Sequence, residues 1–528
     1  MSSFWDLFGE IPDDGKKSSK FWEFFSDSEG PSEPVIESIR KRPSAVAFDE
    51  QSVFWGMRNI PLAEAVKHFL ICGAVGSGKT TNIDLFVQSI APRFHRYRRV
   101  PEQLILFDAK GDAIPKLAAL GYLPDAKEHN VNIINPYDCR SAIWNVAEAV
   151  QEPLMAEHLA ALLVPEEPNS SAPFYWSASR RLTNAVILAL NQVAGKRWEL
   201  RDLLCALNTK ERITAITDRH PGAREMAAPI LQDDLHRDAV IGSLAAKLGK
   251  YTTLAALNHT APRQTHFSVE EFLTKPGILI LGNDPVLRQS LWPINALLLQ
   301  SLSKHILRGN ETQTPRHWFV LDEFSAMERV DSIRDLVNLG RSKGASVTIG
   351  LQGVDRIRLL YGKEGAEDIL EQLSCKTFLR VGGPETAEWA ERFFGRYRVT
   401  ETTYSESFGI SGKSASAQYN TAERSLFLAS FFMNLPITGP GRPLIGVSDF
   451  PHLDTTVIAR RWYDHVDSWR IKPSQNDAVP AVVPRTDPAG QTLEPWSKDR
   501  ETHFCGKKLK KPKLPIRKPK RPPGSHEQ

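Results

Sequence analysis

The sequence of 528 residues predicts an α/β fold with a parallel sheet, and three observations lead to this class. Apolar runs of strand length alternate with helical patterns, as in sheets whose parallel strands are joined by crossover helices. One apolar run leads through a glycine-rich loop into a helix, over residues 68–90. Another ends in two adjacent acidic residues, Asp322 and Glu323. These features predict a sheet whose strand ends carry the chemistry.

The glycine-rich loop, residues 73–80, matches G-x-x-x-x-G-K-[ST] at every defined position. Residues 68–72 before it are apolar and predict a strand, and residues 80–90 after it predict a helix. In such a loop the backbone N–H groups and the helix N-terminus face phosphate oxygens. Lys79 would reach the β- and γ-phosphates of ATP, and the Thr80 hydroxyl would bind Mg²⁺. The alternative is a chance glycine-rich turn, which the strand–loop–helix setting disfavours.

The acidic pair follows the apolar residues 317–321. Asp322 is placed to hold Mg²⁺, and Glu323 is placed to polarise the water that attacks the γ-phosphate. A solvated pair at a strand end is the alternative. The residues predicted to bind nucleotide are Gly73, Gly76, Ser77, Gly78, Lys79, Thr80, Thr81 and Asp322, with Thr80 and Asp322 as the Mg²⁺ ligands.

Two further polar residues are candidates for catalysis beside Lys79 and Glu323. Gln352 ends the buried-strand candidate 345–351, where a polar side chain can sense the γ-phosphate. Arg341 lies between this strand and the acidic strand. In ring-shaped ATPases an arginine of one subunit completes the neighbour's site and stabilises transition-state charge. A solvated surface arginine is the alternative for Arg341.

The composition is typical of a soluble globular protein, with 41% hydrophobic and 24% charged residues. Apolar runs fall short of the ~20 residues of a membrane span, and the acidic, aromatic N-terminus is unlike a signal peptide. The five cysteines have no paired spacing, which indicates a reducing compartment and argues against zinc. We therefore expect a cytoplasmic protein.

The first 45 residues predict a disordered arm that carries an aromatic repeat. Phe4, Trp5, Leu7 and Phe8 are echoed by residues 21–25. Aromatic clusters in such an arm usually dock onto a partner, and a groove, the membrane interface or the chain's own domain are the alternatives. The acidic neighbours disfavour anionic lipid.

The C-terminal segment, residues 474–528, is rich in proline and ends in a basic tail that we expect to be extended. Residues 507–521 hold nine cations and no acidic residue, so removing them from the net charge of +4 leaves the rest of the chain at −5. Such a tail suits nucleic-acid phosphate or an acidic lipid or protein surface. A purely solubilising tail is the alternative.

The body between these segments predicts a nucleotide-binding domain in two parts, residues 46–150 and 265–473. Strand patterns disappear between 151 and 264, where helical periodicity predicts an inserted all-α domain. Residues 104–108, 277–282, 375–381 and 444–447 predict further strands of the sheet. The polar residues 400–421 predict either a hairpin or a projecting loop.

These motifs together resemble the type IV secretion coupling proteins, conjugative DNA-pumping ATPases related to the hexameric FtsK and HerA motors. The resemblance covers about residues 50–455. It rests on the phosphate loop, on residues 107–112 as the family's D-x-K-G-[DE] element, on residues 174–180 as the start of its all-α domain, and on the block from 321 to 362. It implies a RecA-like P-loop core and a composite ATP site between subunits. The site residues implied are Lys79, Thr80, Asp322, Glu323, Arg341 and Gln352.

The resemblance implies an ATP-hydrolysing DNA translocase, with ATP and Mg²⁺ as cofactors and a homo-hexamer as the assembly. Its implied partners are single- or double-stranded DNA, a relaxase or other substrate protein, and a secretion channel. Family members usually carry membrane helices where this sequence has the aromatic arm, so we expect the arm to dock onto a membrane-embedded partner at the inner membrane. The alternatives are a soluble DNA-pumping ATPase in mobilisation, DNA processing or defence, and an ATP-switched adaptor that recruits substrates.

Overall fold

The structure is a computed structural model. It describes residues 35–37, 49–123, 130–166, 173–261, 266–282, 287–409, 412–453, 456–473, 479–485 and 492–506. The aromatic repeat and the basic tail from residue 507 lie outside these ranges. The chain divides into two compact units. The nucleotide-binding unit comprises residues 1–144 and 263–485, and the helical unit comprises 145–262 and 486–528.

The nucleotide-binding unit is built on a sheet to which ten described strands contribute, in the order β1-β16-β15-β12-β4-β11-β10-β5-β9-β6. All neighbours are parallel except the pairs β12–β15 and β15–β16. The predicted α/β class with a parallel sheet is therefore confirmed. The strands of the described residues are β1 (Val35–Glu37), β2 (Ser52–Trp55), β3 (Arg58–Pro61), β4 (Phe69–Cys72), β5 (Gln103–Asp108), β6 (Val131–Ile134), β7 (Ile143–Trp144), β8 (His266–Phe267), β9 (Gly277–Gly282), β10 (Thr312–Leu321), β11 (Lys343–Leu351), β12 (Cys375–Phe378), β13 (Arg396–Gly409), β14 (Gly412–Ser425), β15 (Pro443–Asp449) and β16 (Val457–Trp462).

Helices connect these strands and make up the second unit. The α-helices of the described residues are α1 (Lys79–Ile90), α2 (Ala113–Ala119), α3 (Val146–Ala149), α4 (Pro153–Leu163), α5 (Pro173–Ala194), α6 (Leu200–Ala206), α7 (Lys210–Thr217), α8 (Pro221–Leu231), α9 (Arg237–Leu248), α10 (Thr252–Thr260), α11 (Val269–Leu273), α12 (Arg288–Leu307), α13 (Asp331–Leu339), α14 (Val354–Gln372), α15 (Pro384–Phe394), α16 (Ala429–Asn434), α17 (Tyr463–Ser468) and α18 (Lys498–Cys505). Among the described residues, no helix is both long and apolar enough to cross a membrane.

An aromatic cluster joins α1 to the sheet beneath the phosphate loop. Phe86 of α1 lies 5.0 Å from Phe69, 5.3 Å from Trp55 and 6.0 Å from Trp318, measured between ring centroids. All four side chains are buried. Aromatic pairs at these separations add packing energy beyond the area they bury. The cluster therefore packs the middle of α1 against strands β4 and β10.

The helical unit is organised around α5, against which α4, α7, α8 and α9 pack. A short 3₁₀ turn over Gly249–Tyr251 separates α9 from α10. The polar stretch around residues 400–421, for which the sequence left two alternatives, is a long hairpin formed by β13 and β14.

One expectation about the chain ends needs correction. Within the arm predicted to be disordered, Val35–Glu37 forms a parallel edge strand beside β16, which its β-branched residues favour. In the proline-rich C-terminal segment Lys498–Cys505 forms α18, whereas the basic tail that we expect to be extended lies outside the described residues. No proline interrupts these eight residues, and the Ser497 hydroxyl caps the helix by accepting from the Arg500 N–H at 3.2 Å.

Candidate nucleotide-binding site

The phosphate loop begins where β4 ends, and the neighbouring strand ends hold it in place. The Gly73 N–H donates to the Leu351 carbonyl at 2.9 Å, and the Ala74 N–H donates to the Arg380 carbonyl at 2.7 Å. Leu351 ends β11 and Arg380 follows β12, the two strands that flank β4 in the sheet. The loop is therefore held at the carboxyl edge of the sheet, where ligands of open α/β folds bind.

The end of the phosphate loop leaves the first-turn amides of α1 available for binding an anion. Gly78 has a φ of +94°, a conformation that favours glycine, and a Cβ there would lie 2.4 Å from Leu444 Cδ1. Gly78 caps α1 without a side-chain hydrogen bond to the first-turn amides. Those amides and the helix dipole are thus available to phosphate oxygens. Lys79, the first residue of α1, is buried and lines a cavity in front of the phosphate loop.

This cavity has a volume of about 450 Å³ and a second wall that the sequence did not predict. The Thr438 N–H donates to the Gly76 carbonyl at 2.9 Å, and the Thr438 hydroxyl donates to the Ser77 carbonyl at 3.1 Å. Thr81, Pro440 and Tyr463 also line the space. The loop around Thr438 therefore braces the phosphate loop from outside.

The acidic pair comes directly after β10, beside the end of β11. A Cβ on Gly350 would lie 2.1 Å from the Asp322 carbonyl oxygen, so glycine at 350 permits the two strand ends to approach closely. On the other side, Phe324 stacks on Tyr361 with ring centroids 6.0 Å apart. The Tyr361 hydroxyl both donates to the Val330 carbonyl and accepts from its N–H, each at 3.1 Å. This packing orients the backbone that carries Asp322 and Glu323.

Glu323 is in contact with two other predicted site residues. Lys79 Nζ lies 3.4 Å from Glu323 Oε2, and Gln352 Nε2 donates to the same oxygen at 2.7 Å. The Glu323 side chain is 13% exposed and faces the cavity. A carboxylate held by an amide and a lysine at the phosphate position is well placed to orient a water molecule.

Asp322 and Thr80 share a partner that the sequence did not assign to the site. Lys110 Nζ donates to Thr80 Oγ1 at 2.8 Å and to Asp322 Oδ2 at 2.5 Å. Asp322 Oδ1 is buried and has no hydrogen-bond partner among the described residues. Thr80 Oγ1 and Asp322 Oδ2 thus already surround one cation, the Lys110 ammonium, and Asp322 Oδ1 is a further oxygen that could act as a ligand. Hard oxygen donors of this kind are the ligands that Mg²⁺ takes beside nucleotide phosphates. The residues present therefore fit the predicted Mg²⁺ site.

Lys110 is held by the turn between β5 and α2. Asp108 Oδ1 accepts from the N–H groups of Asp112 and Ala113, at 3.0 and 3.3 Å. Gly111 supplies the left-handed residue of the turn, with φ +73°. Burial, and then the nearby Asp112, raise the pKa of Asp108 to about 6. The D-x-K-G-D element is thus a compact turn that presents Lys110 to the neighbouring strand end.

Arg341 lies away from the cavity of its own chain. It is exposed in the 3₁₀ turn Gly340–Ser342 that precedes β11, whereas Gln352 follows the same strand. The nine residues of β11 at ~3.3 Å each separate the two ends by roughly 30 Å. Arg341 therefore cannot reach the nucleotide cavity from within its own subunit.

The structure brings most of the predicted site residues to one cavity and adds others. The residues that line it are Ala74, Val75, Gly76, Gly78, Lys79, Thr80, Thr81, Lys110, Glu323, Gln352, Thr438, Gly439, Pro440 and Tyr463. Asp322 joins them through Lys110. Ser77 is buried within the loop, and a Cβ on Gly73 would approach its Oγ to 2.3 Å. Lys110 had a sequence signal in its motif, whereas Thr438 and Tyr463 are recognisable only from the fold.

Comparison with known proteins shows the family and the fold to which this chain is similar. The family model described as the type IV secretion-system coupling protein DNA-binding domain matches residues 55–453. No curated protein matches the chain significantly. Solved structures that match include the unbound bacterial conjugative coupling protein TrwBdeltaN70, with 19% identity, a TM-score of 0.63, and coverage of 83% of this chain and 93% of that one.

A second match is the plasmid coupling protein TrwB in complex with ADP and Mg²⁺, with 18% identity, a TM-score of 0.61 and the same coverage. A third is TrwB with a non-hydrolysable ATP analogue, also at 18% identity and a TM-score of 0.61. At these identities the structures establish a shared fold, while the family model covers most of the chain. The RecA-like P-loop chain described here belongs to the type IV secretion-system coupling protein family.

Proposed function

We propose that this chain is an ATP-hydrolysing DNA translocase that delivers a DNA–protein substrate to a type IV secretion channel. The observation that carries the proposal is the convergence of the phosphate loop, Asp322, Glu323 and Gln352 at one edge of the sheet. A scaffold that only binds nucleotide has no need of a carboxylate placed for water activation. The complexes of TrwB with ADP–Mg²⁺ and with an ATP analogue support ATP and Mg²⁺ as the ligands of this cavity.

In the proposed mechanism, the amides of the phosphate loop and the N-terminus of α1 bind the phosphates of ATP. Lys79 offsets charge on the β- and γ-phosphates, and Thr80 with Asp322 would hold Mg²⁺, which supplies further charge neutralisation. Glu323 orients the attacking water and accepts its proton. Gln352, which donates to Glu323, keeps that carboxylate turned towards the γ-phosphate. Because Gln352 follows β11, it also couples the presence of the γ-phosphate to the position of that strand.

We further propose that the active form is a homo-hexamer in which Arg341 acts on the neighbouring subunit's ATP. The separation of roughly 30 Å along β11 supports a role in trans, because the side chain cannot serve its own cavity. Contact with the developing charge on the γ-phosphate would then couple hydrolysis to the subunit boundary.

The remaining parts of the chain have proposed partners. The helical unit takes part in recognising the relaxase or another substrate protein. The basic tail contacts phosphates of single- or double-stranded DNA. The aromatic arm of residues 1–45 docks onto a membrane-embedded partner, which places the cytoplasmic motor at the periphery of the inner membrane.

The experiment that tests the proposal is the steady-state ATPase rate of the purified chain with and without DNA. We expect DNA to stimulate turnover, and Glu323→Gln to lower the rate by on the order of 10²-fold or more with ATP binding retained, because a proton-handling group is removed. Lys79→Ala is the contrasting variant, since it should weaken nucleotide binding as well. ATP binding without DNA-stimulated turnover in the wild type would instead favour the ATP-switched adaptor.

A further inference from the structure

Lys110 bridges the two residues that are predicted to hold Mg²⁺. Its ammonium bonds both predicted Mg²⁺ ligands, Thr80 Oγ1 and Asp322 Oδ2, at 2.8 and 2.5 Å. A cation cannot bind these two oxygens while the ammonium bridges them, since like charges at such separations repel strongly. The lysine therefore neutralises Asp322 in the way that a divalent cation would.

The contact is built into the fold. The turn that carries Lys110 is held by the two hydrogen bonds to Asp108 and by the left-handed Gly111. Strand β5, which precedes the turn, is the direct neighbour of β10, which ends in Asp322. Because the two strands are parallel, their carboxyl ends lie side by side at one edge of the sheet. The sheet order thus places the ammonium beside the metal ligands.

The contact is also displaceable. The Lys110 side chain is 36% exposed, and an ion pair open to solvent contributes little to stability. Lys110 borders a second cavity of about 160 Å³ as well as the nucleotide cavity. The wall of that second cavity includes Asp84, Asp108 and Asp112, together with Lys116 and Arg470. A displaced ammonium therefore has open space to move into without leaving its turn.

We propose that Lys110 is a place-holder for the catalytic cation, and that Mg²⁺ must displace its ammonium from Thr80 and Asp322 before the site is assembled for hydrolysis. The proposal rests on the proposed function and adds a residue that sets how strongly the site responds to Mg²⁺. In the absence of nucleotide, each carboxylate of the acidic pair is paired with a lysine. Asp322 pairs with Lys110, and Glu323 pairs with Lys79. When Mg²⁺ binds together with nucleotide, the metal replaces Lys110 as the partner of Asp322.

The test is the Mg²⁺ concentration that half-saturates binding of a fluorescent ADP analogue, measured on the full chain without DNA. Lys110→Met removes the charge and keeps the length of the side chain. We expect the half-saturating Mg²⁺ concentration to fall about threefold or more, because the competing ion pair is gone. Direct titration with Mn²⁺, followed by electron paramagnetic resonance, should show the same increase in affinity.

Lys116→Met is the matched control. Lys116 also lines the second cavity, and it pairs with Asp84 and Asp112 at 2.9 and 2.8 Å rather than with the metal ligands. It should leave the Mg²⁺ dependence unchanged. In an Asp322→Asn background, Lys110→Met should have no further effect, since the shared carboxylate is already absent. Melting temperatures establish that each variant is folded, and Lys110→Gln replaces any Lys110→Met protein that is not.

An unchanged or increased half-saturating concentration in Lys110→Met would overturn the inference, since the lysine would then be neutral or helpful to metal binding. The inference would also be overturned if Lys116→Met lowered the half-saturating concentration equally, or if Lys110→Met kept its full effect in the Asp322→Asn background. Either result would mean that Lys110 acts only through the general surface charge. These outcomes leave the proposed ATPase function standing. A chain that binds no nucleotide at any Mg²⁺ concentration would defeat both.

Discussion

Gly350→Ala is the substitution that tests most sharply how the acidic pair is positioned. An added Cβ would lie 2.1 Å from the Asp322 carbonyl oxygen, whereas carbon–oxygen contacts below 3.0 Å are essentially absent from real structures. The ends of β10 and β11 must therefore separate by roughly 1 Å, because a packed interior has no free space to absorb the methyl group. The shift moves Asp322 and Glu323 relative to Lys79.

We expect Gly350→Ala to lower kcat by on the order of 10²-fold, the cost of misplacing a catalytic group by about 1 Å. Overpacking should also destabilise the chain by about 1–3 kcal/mol. The assay is phosphate release at saturating ATP with DNA, together with the affinity for a fluorescent nucleotide and the melting temperature. Nucleotide affinity should change by only a few-fold, because the phosphate loop keeps its bond to the Arg380 carbonyl, which follows β12 and lies outside the two strands that separate.

Gly242→Ala is the control, since a Cβ in the middle of α9 meets nothing within 4 Å and alanine favours helices. It should retain wild-type turnover. A folded Gly350→Ala protein with a kcat within twofold of wild type would refute the argument that this glycine sets the distance between the strand ends.

The other predictions concern the ring, the tail and a buried histidine. Mixing Arg341→Ala with Lys79→Ala subunits should restore some ATPase activity, and no recovery at any ratio in assembled rings would refute a role in trans. Deleting residues 507–528 should flatten the slope of log K against log salt for single-stranded DNA by ~0.7 for each phosphate that the tail neutralises, whereas an unchanged slope would exclude the tail from DNA binding. Burial lowers the pKa of His68 to about 4, below its unfolded value near 6.5, so stability should fall as the pH drops through this window, by roughly 3 kcal/mol at pH 4. The check is the urea midpoint of unfolding, measured for the wild type and for His68→Asn between pH 7 and pH 4. An equal change of the midpoint with pH in the two proteins would contradict the prediction.

The core of the site was predictable because its signals are local. A strand, six loop residues and a helix are contiguous in the chain, so residues 68–90 carry their own evidence. The structure agrees to within a residue or so at the ends of β4 and α1. The end of β11 at Gln352 was predictable for a similar reason, since the buried-strand candidate 345–351 stops there.

Contacts that depend on sheet order were not predictable from the sequence. Lys110 meets Asp322, 212 residues away, because β5 and β10 happen to be neighbours in the sheet. The bracing of the phosphate loop by Thr438 has the same origin. Short edge strands such as Val131–Ile134, with four residues, are also too brief for their pattern to stand out. Arg341 was a candidate by sequence, but only the length of β11 showed that it lies far from its own cavity.

The central claim is that ATP hydrolysis at this cavity moves the protein along DNA, and displacement of a DNA triplex tests it most directly. A third strand bound at a distance from the loading site is released only when a motor travels to it. The account predicts that the wild type displaces this strand with Mg²⁺ and ATP, and that neither Glu323→Gln with ATP nor the wild type with a non-hydrolysable analogue does so. A wild-type protein that hydrolyses ATP on the same DNA but leaves the triplex intact would contradict translocation. Displacement at the wild-type rate by Glu323→Gln would contradict the assignment of the site.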